Sequence, residues 1–184
     1  MTNRNLRKTI VSALFLSIAL LLPFLTGQIP QIGKMLLPMH IPVLLCGFLC
    51  GWQYGLAVGF IAPLLRSIVF SNPTMFPTAV IMAFELAAYG FFAGYIFSFF
   101  RKKNIGTLYF SLITSMVLGR LIKGVVQFFI LGFTDEGFVF MGFVAGAFTN
   151  AIPGIILQFI LIPPLIILLS KTKLISFENS GGLL

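Results

Sequence analysis

Apolar blocks, each long enough to cross a bilayer, follow one another along nearly the whole chain, and this excludes most of the folds open to 184 residues. A helix needs about 20 such residues to span about 30 Å of hydrocarbon. Backbone N–H and C=O groups find no water there, so only helices or a closed barrel satisfy them, and nothing in this sequence alternates as barrel strands do. With 59% of residues hydrophobic, 9% charged and 22 phenylalanines, no soluble domain is left once the spans are removed. The expected fold is an all-α integral membrane protein, a compact bundle of six transmembrane helices forming a single domain over residues 1–184.

The net charge of +8 reports topology and not nucleic-acid binding. Basic residues gather at Arg4, Arg7 and Lys8, at Arg101, Lys102 and Lys103, and at Lys171 and Lys173, as short cytoplasmic segments do under the positive-inside rule. Both termini are therefore expected in the cytoplasm. The run Ile10 to Leu25 has the basic lead-in of a signal peptide but no small-residue cleavage pattern, so it reads as a retained first helix. Cys46 and Cys50 lack the further ligands a metal would need, and both read as packing residues.

Helices are expected at roughly 6–25, 40–51, 54–71, 78–100, 107–131 and 138–170, with a frayed tail over 171–184. Charge decides the division of the apolar stretch Ile41 to Phe70: only two short helices, joined at Gly51-Trp52-Gln53-Tyr54-Gly55, keep every basic cluster on one side. Gly47, Gly51, Gly55 and Gly59 fall every four residues, so this hairpin can pack closely. Pro63 should kink its second arm, and Pro153, Pro163 and Pro164 should bend or break the last helix. The irregular segment Thr26 to Met39 is a candidate lid, carrying Lys34 and leading into His40. On the first helix, Ala13 and Ser17 give a small-xxx-small spacing that admits another backbone or simply packs within the bundle.

Arg120 and Lys123 stand in an otherwise lipid-soluble helix, on one face at i and i+3, with Gln127 extending the stripe. A cation at bilayer depth costs about 2.5 to 3.5 kcal/mol, so both must look inward. Counted from the outer helix ends at 1.5 Å per residue, Arg66 lies about 8 Å deep, Glu85 about 11 Å, Lys123 about 12 Å, Arg120 about 17 Å and Asn150 about 18 Å. Tyr89 shares the face of Glu85. Polar groups confined to the outer half describe a pocket open to the outside, where a pore or proton relay would string them through the full thickness. Three cations against one anion leave a positive field that a carboxylate-bearing ligand would complete. A structural ion pair between these cations and Glu85 is the plainer reading. The chain has no phosphate-binding Gly-x-x-x-x-Gly-Lys run, no acid pair and no nucleophile–base set, so a binding protein without cofactor fits better than an enzyme.

The stretch Leu37-Pro-Met-His-Ile-Pro-Val-Leu-Leu-Cys-Gly-Phe-Leu-Cys-Gly-Trp-Gln-Tyr-Gly, with Gly59-Phe-Ile-Ala-Pro-Leu-Leu-Arg-Ser and Phe76-Pro-Thr-Ala, resembles the substrate-binding S components of energy-coupling factor (ECF) vitamin transporters. The resemblance covers the whole chain in length and helix count. It implies a subunit of a bacterial cell membrane that captures a vitamin outside, docks on a transmembrane T component driven by two ABC ATPases, and topples to release its ligand inside. The family docks through an Ala-xxx-Ala motif on helix 1, from which Ala13 and Ser17 depart by one residue. By their place on the helices, Arg66, Glu85, Arg120, Lys123 and Asn150 carry over as ligand positions, with Tyr89 and Gln127 beside them.

The expected function is high-affinity vitamin capture, with pantothenate first because its carboxylate suits a positive pocket; cobalamin, a pyridoxine-type vitamin and folate stay open. The alternative is a membrane scaffold in which Arg120, Lys123 and Glu85 form a structural network without ligand. Expected partners are the small-molecule substrate, the T component, two ATPase subunits and lipid, with no nucleic acid.

Overall fold

A computed structural model of the chain describes residues 3–26, 37–101, 103–132 and 151–171. At its centre is α2 (His40–Cys50), a helix with all of its residues buried. It is about 16 Å long, about half the hydrocarbon thickness. Around it lie α1 (Asn3–Leu21), α3 (Trp52–Phe70), α4 (Val80–Phe99) and α6 (Ile152–Lys171), while α5 (Ile105–Gly132) packs on α4 and α6. Five segments are long and apolar enough to cross a membrane: Asn5–Phe24, Trp52–Phe70, Met75–Phe99, Ile105–Gly132 and Ile152–Leu169. The chain is an all-α membrane protein, and the described residues contain no strand.

The link between α2 and α3 is tighter than the five-residue turn expected from the sequence. Gly51 alone makes it, at φ 104° and ψ 166°, and α3 resumes at Trp52. An L-residue is strained at that φ, so the position calls for glycine. The Gly51 N–H donates to the Gly47 carbonyl at 3.1 Å and the Gly55 N–H to the Gly51 carbonyl at 3.0 Å, so Gly51 closes one helix and opens the next. The small faces of Gly47 and Gly55 then receive Gly90 of α4, backbone against backbone.

On α1, Ser12, Phe15 and Ala19 turn inward at helical spacing, and Leu6, Ile10, Leu14, Ile18 and Leu21 face outward. A 3-10 turn, Leu22–Thr26, continues the helix. A π-turn, Met75–Ala79, leads into α4. Asn104 caps α5: its side-chain oxygen accepts from the Thr107 N–H at 2.9 Å and its own N–H donates to Thr107 Oγ1 at 3.1 Å. Lys8 and Lys103 come together at one end of the bundle. There, burial first and the Lys8 ammonium second hold the Lys103 ammonium below its ordinary range, and its Nζ lies 5.4 Å from the Phe97 ring centroid.

Of the two outcomes expected at Pro163 and Pro164, a bend or a break, the break does not occur: α6 runs on through both. A proline leaves the carbonyl four residues back without its amide donor. For Pro163 that carbonyl is Phe159, and the Tyr109 hydroxyl of α5 donates to it at 3.4 Å. Pro153 sits in the first turn of α6, where a missing N–H costs nothing. The portion of the last helix expected before residue 151, and the tail after 171, lie outside the described residues.

A buried ion-pair cluster as the candidate substrate site

Three helices deliver charged or polar side chains to one buried point. Glu85 of α4 is 1% exposed. Lys123 Nζ of α5 stands 2.9 Å from its Oε2, and His40 Nε2, at the start of α2, stands 3.6 Å from its Oε1. One turn along α4 from Glu85, the Tyr89 hydroxyl accepts a hydrogen bond from Arg120 Nε at 3.0 Å. The His40 ring meets the Tyr89 ring edge-on, with centroids 4.9 Å apart.

Local sequence explains how the groups meet. Arg120 and Lys123 are three residues apart and Glu85 and Tyr89 four, so each pair shares a face. Gly119 lets α5 lie against the Tyr89 ring: a Cβ there would fall 2.8 Å from Tyr89 Cδ2. Lys123 is the half-exposed member, with 22% of its side chain accessible against 2% for Glu85. A buried ion pair is costly to break, because removing one partner leaves the other charge stranded at about 3 to 5 kcal/mol. The donors of Arg120 and Lys123, the carboxylate of Glu85 and the imidazole of His40 equip the site to hold a polar ligand. None is a nucleophile set against a base.

The sequence-derived candidates divide. Glu85, Tyr89, Arg120 and Lys123 come together, and Gln127 is half-buried one turn further along α5. His40, expected at a lid beside Lys34, is instead 1% exposed within the cluster. Arg66 is buried but turns away from Glu85. Its Nη1 donates to the Leu20 carbonyl, at the end of α1. Its guanidinium carbon lies 5.0 Å from the Phe24 ring and 5.4 Å from the Phe70 ring. Arg66 therefore caps α1 between two aromatic faces, and the positive charge of the described cluster rests on Arg120 and Lys123. Ala13 and Ser17 are exposed on α1, with the Ser17 hydroxyl bonded to the Ala13 carbonyl at 3.0 Å, so they do not pack inside this bundle. Asn150 and Lys34 lie outside the described residues.

Sequence reasoning passed over the part played by His40. Its partners Glu85 and Tyr89 sit on another helix, so no spacing points to them. A usable signal is that His40 opens a helix with no other polar side chain, which suits a fully enclosed position. Gln158, fully buried on α6, also has neither amide atom hydrogen-bonded among the described residues. Among those residues no three His, Cys, Asp or Glu side chains gather to hold a metal, and Cys46 and Cys50 are free and buried.

Residues 7–166 match the family model described as the ECF transporter substrate-specific component. No curated protein and no solved structure matches the chain.

Proposed function

The chain belongs to the family of ECF transporter substrate-specific components, and from that membership we propose that it captures a carboxylate-bearing vitamin, pantothenate first, from outside the cell. Delivery then runs through a T component and two ATPases. The family supplies the substrate-specific component of a transporter. The observation that carries the choice of substrate is the buried cluster itself, in which Lys123 pairs with Glu85 and Arg120 bonds the Tyr89 hydroxyl one turn along α4. An incoming carboxylate finds charge-assisted donors already enclosed in a bundle built to exclude water. Cobalamin, a pyridoxine-type vitamin and folate are the competing substrates.

The proximity of Lys8 and Lys103 supports an orientation with that end, and both termini, in the cytoplasm. Exposure of Ala13 and Ser17 supports α1 as the face that meets the T component. The 2.9 Å contact between Lys123 and Glu85 favours a second reading, a scaffold whose ion pair only locks the helices.

Calorimetric binding to the purified full chain in detergent separates the readings. Vitamin capture requires submicromolar affinity for pantothenate or another carboxylate of the panel. Nanomolar binding of thiamine with none for anionic vitamins would refute the charge argument. A chain that binds no vitamin and unfolds when Lys123 is replaced by alanine is the scaffold.

A further inference from the structure

Two groups in the cluster are unused by a carboxylate held at Arg120 and Lys123. His40 is enclosed on all sides, yet neither ring nitrogen has a hydrogen-bond partner among the described residues. A neutral imidazole offers one donor and one acceptor, and leaving them unmet in a dry interior carries the full desolvation penalty. The nearest acceptor, Glu85 Oε1, is 3.6 Å from Nε2, too far for a hydrogen bond. A carboxylate accepts about four hydrogen bonds, two at each oxygen. Lys123 Nζ stands 2.9 Å from Oε2 as an ion contact, yet Oε2 has no hydrogen-bond partner among the described residues either.

A gap of 3.6 Å between a ring nitrogen and a carboxylate oxygen has a chemical meaning. One hydroxyl oxygen can lie about 2.7 Å from the carboxylate oxygen, to which it donates, and about 2.9 Å from the imidazole N–H, from which it accepts. An amide N–H meets the Glu85 requirement alone. A second carboxylate could accept from the imidazole N–H but would set two anions against each other at Glu85 in a water-poor site.

We infer that the cluster reads two groups on its ligand: a carboxylate at Arg120 and Lys123, and a hydroxyl at Glu85 and His40. The ligand class is a hydroxy-carboxylic acid, as opposed to a plain fatty acid or a dicarboxylate. The two recognition corners lie on opposite sides of the Glu85 carboxylate, because Lys123 occupies Oε2 and His40 faces Oε1. The hydroxyl and the carboxylate therefore sit several bonds apart and not on adjacent carbons. Tyr89 holds the corners in register, since its hydroxyl takes the Arg120 bond and its ring carries the His40 ring. The inference rests on the reading of this cluster as the substrate site and adds the second group to it.

The test uses matched pairs on the full chain in lipid nanodiscs: pantothenate against the analogue lacking both hydroxyls, and pantothenate against pantothenol, which keeps the hydroxyls and lacks the carboxylate. Wild type is expected to lose about 10- to 100-fold in affinity for either analogue, the worth of a hydrogen bond to a charged partner. In Glu85→Gln and in His40→Phe the ratio between pantothenate and its deoxy analogue is expected to fall towards one. The wild-type comparison needs no variant to fold, so it decides the hydroxyl corner even where Glu85→Gln, which leaves Lys123 unpaired, or His40→Phe lowers stability. Equal affinity for pantothenate and its deoxy analogue overturns the hydroxyl corner while leaving carboxylate capture intact. Equal affinity for pantothenate and pantothenol overturns the carboxylate corner, and with it the proposed function. No binding of any of the three overturns both.

Discussion

A single methyl group added at Gly90 should loosen the whole centre of the bundle. An alanine Cβ there would run into the Gly55 carbonyl and lie 2.9 Å from Gly55 Cα, where ordinary contact begins near 3.4 Å. The obstruction is backbone on both sides, so no side chain can rotate out of the way. Relief requires α4 to withdraw from α3 by at least half an ångström, and Gly47 of α2 packs on the Gly90 carbonyl from the other side. Overpacking of this kind costs about 1 to 3 kcal/mol, and a backbone neighbour places Gly90→Ala at the upper end. Trp52, the sole tryptophan, reports on the event, with ring centroids 5.4 Å from Phe91 and 6.4 Å from Tyr95. Thermal unfolding of the purified protein followed by Trp52 fluorescence should show a lowered midpoint and a shifted native emission. Gly132→Ala is the control: no described residue lies within 4 Å of the added carbon, so stability should hold or rise. A Gly90→Ala protein that unfolds with wild-type midpoint and emission would refute the close-packed hairpin.

Lys123→Met should cost about 3 to 5 kcal/mol by stranding Glu85, whereas the pair Glu85→Gln with Lys123→Met should recover most of it, since both charges go together; a double variant as unstable in denaturant titration as the single one would contradict the buried pair. Ala13→Trp adds a ring to an exposed position and should keep ligand binding while abolishing co-purification with a T component, and intact vitamin uptake would remove α1 from the docking face. With Cys46 and Cys50 buried, an impermeant thiol reagent on whole cells should label Met75→Cys and spare Arg101→Cys. Labelling in the reverse order would invert the orientation.

Spans and hairpin are legible in the sequence because hydrocarbon allows few solutions: apolar length, basic clusters and a four-residue glycine period each have one physical meaning here. The inward turn of Arg120 follows from the cost of a cation in lipid. What that cost does not specify is the partner. Arg66 obeys the same rule and turns inward, but to an α1 carbonyl and two phenylalanine rings, a set of partners that no spacing in the sequence announces. His40 joins Glu85 across a separation in sequence that no helical period spans. The uninterrupted α6 depends on a tyrosine of another helix supplying what Pro163 withholds, which is tertiary information.

The half-length of α2 has a consequence for how the protein is made. A segment of eleven residues falls well short of the about 20 that partition into lipid on their own, and every one of these is covered by protein in the finished bundle. Leaving the ribosome, α2 meets a bilayer it cannot cross and, apart from α1, neighbours that have not yet been synthesised. It can enter only folded back on α3, through Gly51, and it gains its cover when α4, and last α6, arrive. His40 therefore waits at the tip of an unfinished hairpin until Glu85 is translated, and the ligand site is among the last features to exist during biogenesis.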